Sequence, residues 1–267
     1  MKYELFVSDF DGTLGTAPDI IEPETVDAIK KYCAKGGIFA VCSGRMMASI
    51  LPICRKYGFK GIVVAYQGAM INEIESGKNL FIGGLSTDIS AEIAKYFLKK
   101  NVSVIVEIDD VMYYSGSSRL IERYEINCKV KGTRVEDAAD FIVKNGRTVQ
   151  KVIGLCGPEE AIRITPLLQE RYAGKAIVNN GAAVLVEAVS PTCSKKVAVE
   201  FLAKYHNIPL DKVIAVGDST NDIELIRGEW HGVAVGDGRE ELKQIADEIT
   251  VPYKDQPVKY LLEKYCL

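Results

Sequence analysis

The sequence predicts an α/β fold: a doubly wound, mostly parallel sheet interrupted by a second, α+β domain. Three observations carry this reading. Short apolar runs alternate with helical patterns over the first 82 residues, and the same rhythm returns after about residue 187. The apolar runs are continuous, not alternating, as expected for strands covered on both faces. Between the two stretches the order changes to strand–strand pairs with helices, which favours antiparallel pairing. The expected boundaries are 1–83 and 187–267 for the core and 84–186 for the inserted domain.

Residues 4–9 end an apolar run on polar residues and read as the first strand. Residues 23–35 carry Val26, Ile29, Tyr32 and Cys33 at helical spacing, with Pro23 suited to the first turn and Gly36 to the stop. Residues 38–42 form a second strand. Residues 45–57 are helical in pattern, and Pro52 predicts a kink or break there. Residues 62–65 form a third strand, and 69–82 read as a hairpin. The inserted stretch opens with an amphipathic helix over 87–100. Strands follow at 102–108 and 111–115, around Asp109-Asp110, then a strand at 148–156 and a helix from Pro158. Two more strands are expected at 176–179 and 183–187. The core then resumes: helix 194–206, strand 212–217, helix 220–227, strand 231–235, helix 239–246 and strand 248–251.

Composition narrows the function classes. The 267 residues hold 48% apolar and 26% charged side chains, ordinary for a globular protein able to bury a core without staples. Thirty-three basic against thirty-six acidic residues leave a net charge of −3, which excludes a broad electrostatic nucleic-acid binder. No run approaches the roughly 18 apolar residues of a membrane span, and the start, MKYELFVSDF, has no signal-peptide core. Seven scattered cysteines without a CxxC spacing read as thiols in a reducing cytoplasm. With only His206 and His231, a multi-histidine metal site is excluded.

The chemistry is concentrated in a few places. Asp9-Phe10-Asp11-Gly12-Thr13 directly follows the first strand. Ligands of open α/β sheets bind beyond the carboxyl ends of the strands. Two carboxylates there can divide the work, one attacking and one shuttling a proton. Gly12 and Thr13 can turn backbone N–H groups toward an anion. Cys42-Ser43-Gly44-Arg45 ends the second strand, where a hydroxyl and a helix N-terminus suit a phosphate; Ser43 is equally a preferred helix cap. Arg45 can hold substrate or make a surface ion pair. Gly217-Asp218-Ser219-Thr220-Asn221-Asp222 follows a later strand, and its carboxylates near Asp9 form an oxygen-rich site suited to Mg²⁺. Lys195 opens a helix, where a cation is mildly unfavourable unless a phosphate is near.

DFDGT, Ser43 of CSGR, Lys195 of CSKK and GDSTND, in that order, resemble the four motifs of the haloacid dehalogenase superfamily. The long insertion resembles a type II cap, and SGR, GDxxND and GVAVG resemble the Cof-type phosphatases. The resemblance implies a haloacid dehalogenase-like core with an inserted α+β cap. It implies Asp9 as nucleophile, forming an aspartyl-phosphate, and Asp11 as the group that protonates the leaving oxygen and then activates water. Mg²⁺ would be bound by Asp9, Asp218 and the Asp11 backbone carbonyl, with Asp222 as a more distant or water-bridged partner. Ser43 and Lys195, with Asn221, would hold phosphoryl oxygens, supported by Gly12, Thr13 and Gly44. The implied activity is Mg²⁺-dependent hydrolysis of a small phosphorylated metabolite, sugar phosphates first. A phosphomutase of the same superfamily is the alternative, and a phosphoaccepting signalling module a more distant one. Gln67-Gly68-Ala69 stands where the family usually has Asn-Gly-Ala, and Lys196 where it usually has Gly. Substrate contacts in the cap have weaker candidates: Arg119, Tyr113 or Tyr114, and an Asn179-Asn180-Gly181 turn.

Overall fold

Leu5–Asp9 forms β1, and all five residues are buried, as a central strand requires. In the computed structural model, which describes every residue but Ala17, Ser117, Ser118 and Ala183 (and Gly181 and Ala182 by backbone alone), the chain divides into two compact units. One comprises residues 1–81 and 194–267, the other 82–193.

In the first unit β1 is followed by α1 (Pro23–Ala34), β2 (Ile38–Cys42), α2 (Met47–Lys56), β3 (Ile62–Ala65), β4 (Met70–Glu73) and β5 (Asn79–Ile82). The second unit supplies α3 (Thr87–Lys99), β6 (Ser103–Ile108), β7 (Val111–Ser115), α4 (Arg119–Cys128), β8 (Thr133–Arg134), α5 (Ala138–Asn145), β9 (Lys151–Leu155), α6 (Pro158–Arg171), β10 (Ile177–Ala182) and β11 (Leu185–Val189). The chain returns to the first unit with α7 (Lys195–Tyr205), β12 (Val213–Gly217), α8 (Ile223–Ile226), β13 (His231–Ala234), α9 (Glu240–Lys243), β14 (Glu248–Ile249) and α10 (Pro257–Tyr265).

The first sheet runs β14-β13-β12-β1-β2-β3-β4-β5. It is parallel from β14 to β3 and turns antiparallel at β4. The chain leaves β1 in one direction through β2 and β3, and later enters β12 on the other side. The carboxyl ends of β1 and β12 therefore form the topological switch point where such sheets bind ligands. Leu5, Val7, Ala40, Val64 and Ala215 pack with Ala198, Leu202 and Leu225 of α7 and α8. On the opposite face Phe6 meets Tyr32 of α1 and Phe39 of β2.

The second unit has a sheet ordered β10-β11-β9-β6-β7-β8, antiparallel except between β7 and β8. Its core lies on one face, where Val104, Val106, Val152 and Val186 pack under Phe97, Ile142 and Leu168 of α3, α5 and α6. A Cβ at Gly154 would come within 2.5 Å of the Phe97 ring, so this strand position has no room for a side chain.

Several elements differ from the sequence reading. The helix expected from residue 45 begins at Met47 and runs through Pro52 without a break, giving up one interior hydrogen bond. The single helix expected at 220–227 is a 3₁₀ turn, Thr220–Asp222, leading into α8. The expected Asn179-Asn180-Gly181 turn is part of β10, whose pairing with β11 shifts register between Asn179 and Ala182. The strand expected at 183–187 starts on Ala183, outside the described residues, and β11 extends to Val189. Pairing with β10 and β9 keeps residues 187–189 in the inserted unit, so that unit reaches Cys193 instead of 186. Tyr113 packs against Phe141, with ring centres 4.4 Å apart and planes tilted by 40°, and belongs to the packing of that unit. Arg119 is the first residue of α4.

Candidate active site

Asp9 is the last residue of β1 and only 4% exposed. Its neighbour in register is Cys42, the last residue of β2, so its backbone is fixed by the sheet. Lys195 reaches it from the first position of α7. Ser194 caps that helix by accepting from the Val197 N–H. The Lys195 ammonium lies 2.5 Å from Asp9 Oδ1 and 2.6 Å from Asp222 Oδ1, and donates to the Cys42 carbonyl at 3.4 Å. Lys195 is 1% exposed, so the helix start that looked unfavourable for a cation is compensated by two buried carboxylates.

Burial, together with the Asp222 carboxylate, pushes Asp9 well above the usual carboxylate range, while Lys195 pulls it down. Burial alone would lower Lys195; Asp222 and Asp9 reverse this and raise it. Asp218 follows β12 at the switch point. Burial pushes it up to about 6, against the hydrogen bond donated by the Thr13 hydroxyl at 2.9 Å.

Asp222, expected as a more distant or water-bridged partner of the metal, is held by the protein through both oxygens. Its Oδ1 takes Lys195, and its Oδ2 accepts from the backbone N–H groups of Asp218 and Ser219, each at 3.1 Å. Both oxygens are thus committed to the protein, as the partner of Lys195 and the brace of the 218–219 turn. One carboxylate oxygen from each of Asp9, Asp218 and Asp222 nonetheless lies within 4.8 Å of the others. This all-oxygen donor set has the character that hard divalent cations prefer. Asp9 and Asp218 are the members with an oxygen to offer.

Gly12 earns its glycine twice. Its φ is +88°, and a Cβ there would lie 2.6 Å from Asp218 Oδ2. The N–H groups of Gly12 and Thr13, expected to face an anion, instead bond within the loop to Gly15 O at 2.9 Å and Phe10 O at 3.4 Å. The Thr13 hydroxyl is spent on Asp218. Ser43 is buried, and its hydroxyl accepts from the Arg45 N–H at 3.2 Å, forming a turn rather than capping α2, whose cap position is Met46. Gly44 lies under Gln67, whose Nε2 would be 2.5 Å from a Cβ at 44. Asn221 is exposed and, among the described residues, bonds none of the other site side chains.

Asp11 is the second carboxylate of the first motif, and its side chain is 52% exposed. Arg45 grips it with two bonds, Nε to Oδ2 at 2.9 Å and Nη2 to Oδ1 at 2.6 Å, and also donates to Asp19 at 2.7 Å. The sequence reading left Arg45 open between substrate and ion pair; the structure shows the ion pair. Asp19 was missed, and no motif marks it. The Gln67-Gly68 stretch singled out in the sequence forms, with Tyr66, a turn in which three successive residues have φ of 54°, 57° and 109°. It ties the Ser43–Arg45 loop through Gln67 N–H to Ser43 O, and a Cβ at Gly68 would lie 2.3 Å from the Ser194 carbonyl beside Lys195.

The profile of the haloacid dehalogenase-like hydrolases matches residues 6–262. The chain therefore belongs to that family, where it is a phosphoric monoester hydrolase of the Cof type. Among curated proteins it is 24% identical to 5-amino-6-(5-phospho-D-ribitylamino)uracil phosphatase YitU of Bacillus subtilis, over 99% of this chain and 98% of that one. Among solved structures, TM0651 from Thermotoga maritima is 28% identical with a TM-score of 0.86, covering 98% of this chain and 97% of the other. The subclass IIB sugar phosphatase BT4131 shares the fold at a TM-score of 0.81 and 18% identity, covering 98% of each chain.

Proposed function

We propose that the chain is a Mg²⁺-dependent phosphatase of small phosphorylated metabolites, sugar phosphates first, working through an aspartyl-phosphate on Asp9. One observation carries the reading: Asp9 is buried at the carboxyl end of β1, anchored by Lys195 and facing Asp218 across the switch point. Asp9, Asp218 and the Asp11 carbonyl would hold Mg²⁺, which supplies charge neutralisation for the phosphoryl group when bound. Asp9 attacks phosphorus while Asp11 protonates the departing oxygen; Asp11 then takes a proton from the water that releases phosphate. Lys195 and Ser43, with Asn221 at the rim, are the groups for the phosphoryl oxygens. Phosphoryl transfer depends mainly on such positioning and electrostatics. The relatives named above support the sugar preference by their substrates: a phosphorylated ribityl compound for YitU and sugar phosphates for BT4131. All seven cysteines are free, in keeping with a reducing cytoplasmic setting.

Fluorine NMR of fluoroberyllate adducts at saturating Mg²⁺ tests the assignment. Asp9→Asn is expected to fold, to be inactive and to form no adduct. Asp11→Asn is expected to be nearly inactive yet to keep the adduct. An adduct in Asp9→Asn but not in Asp11→Asn reverses the two roles.

A further inference from the structure

We infer that Arg45 is the positioning residue of the acid–base carboxylate, fixing the plane and reach of Asp11 toward the leaving group. The inference rests on the acid–base role proposed above for Asp11 and adds the residue that makes this role possible. Asp11 lies beyond the end of β1, in a loop, with half of its side chain in solvent. Without a partner such a carboxylate samples several rotamers, whereas proton transfer requires it within hydrogen-bond reach of one oxygen. Among the described residues, Arg45 is the one side chain that bonds it.

The Arg45 side chain is itself fixed from several directions. Its third nitrogen donates to Asp19, which is 7% exposed. The Asp19 carbonyl accepts from the Tyr57 hydroxyl at 3.1 Å, and that hydroxyl accepts from the Ile21 N–H at 3.0 Å. The guanidinium carbon stands 4.8 Å from the centre of the Phe10 ring, between the two carboxylates of the motif in sequence. The backbone is held too, by the Arg45 N–H to Ser43 and by the Tyr66 N–H to the Arg45 carbonyl at 3.0 Å. A planar fork anchored in this way fixes both oxygens of Asp11, which a lysine cannot do.

The chemistry that Arg45 serves balances as follows. In the first half the ester O–P bond breaks, an Asp9 O–P bond forms, and the Asp11 proton goes to the departing oxygen. The carboxylate left on Asp11 meets two N–H donors already in place. In the second half Asp11 takes a proton from water, the water oxygen bonds to phosphorus, and the Asp9 O–P bond breaks. An alkoxide leaves poorly without a proton, whereas 4-nitrophenolate leaves readily without one. Misplacing Asp11 must therefore hurt alkyl phosphates selectively.

The test compares kcat/KM for a hexose 6-phosphate and for 4-nitrophenyl phosphate in Arg45→Met and Arg45→Lys, with Asp9→Asn alongside. kcat/KM reports only steps through departure of the leaving group. General acid catalysis is worth on the order of a hundredfold or more. Arg45→Met is expected to lose about a hundredfold on the hexose phosphate and under about threefold on the aryl ester. Its aryl kcat should fall as well, with a burst of one equivalent of 4-nitrophenolate, because Asp11 no longer activates water. Arg45→Lys keeps the charge without the fork and should show the same selectivity at about a tenfold loss. Equal losses on the two substrates, or under threefold loss on the hexose phosphate in both variants, overturn the inference. Turnover surviving in Asp9→Asn would instead remove the aspartyl-phosphate reading beneath it.

Discussion

Lys195→Met removes the one cation between two buried carboxylates, and its consequence can be worked out from the structure. Asp9 and Asp222 are 4% and 0% exposed, and both touch the same ammonium, at 2.5 and 2.6 Å. Methionine matches the volume but leaves the carboxylates facing one another in a low dielectric. Breaking a buried pair in this way costs about 3–5 kcal/mol, most of it from the charges left unpaired. The pH dependence follows from the sign of the Asp9 shift. Burial already raises Asp9 in the folded protein, and loss of Lys195 removes a group that pulled it down. The folded state then binds a proton more tightly than the unfolded chain, so its stability falls as pH rises. Lys195 itself is raised above its ordinary value, so its own contribution is complete throughout the neutral range. The deficit of the variant should therefore approach its full size near pH 8 and shrink toward pH 5. Urea titration in chelator, followed by fluorescence of Trp230, measures it. This is the only tryptophan, 3% exposed in the core of the same unit, with its N–H on the Leu225 carbonyl. Adding Asp9→Asn to the variant should recover part of the loss at pH 8 by removing one of the stranded charges. A loss below about 1 kcal/mol at pH 8, or one equal at both pH values, would refute the reasoning.

Gly12→Ala should destabilise the same unit by about 1–2 kcal/mol, because the backbone is left-handed there and the new methyl meets Asp218; it should also weaken Mg²⁺ binding, read by calorimetry, and an unchanged affinity would show that the Asp218 position does not matter to the metal. Mg²⁺ affinity, read the same way, should fall as pH drops below about 6, because protonation of Asp218 competes with the cation, and an affinity independent of pH there would refute this. Turnover should stop in chelator, return with Mg²⁺ and be inhibited by Ca²⁺, whose looser coordination misplaces the nucleophile; full turnover in chelator after removal of bound metal would remove the metal from the reading.

The sequence alone determined the parallel core, because strands buried on both faces are written as continuous apolar runs: LFV, ending on Ser8 and Asp9, and IFAVC, IVVA and VIAVG all appear as strands. It also placed Asp9, Ser43 and Asp218 at strand ends, since a strand's carboxyl end is where its apolar run stops. Some missed elements were legible. Pro257 followed by Val258, Leu261 and Leu262 at helical spacing marks α10. Leu120, Ile121, Tyr124 and Cys128 mark α4 in the same way, whereas β8, two exposed residues, carries no apolar pattern to read.

What the tertiary structure decided is which atoms are spent. Asp222 was expected only as a more distant or water-bridged partner of the metal, and its oxygens are claimed by Lys195, 27 positions away, and by two backbone N–H groups. Gly12 and Thr13 looked like anion donors, yet their N–H groups close the loop on itself. The grip of Arg45 on Asp11 spans 34 positions and depends on Asp19, Tyr57 and Phe10. Residue type and local spacing limit what a group can donate or accept. The partner it meets depends on distances that exist only after β1, β2 and β12 have been brought side by side.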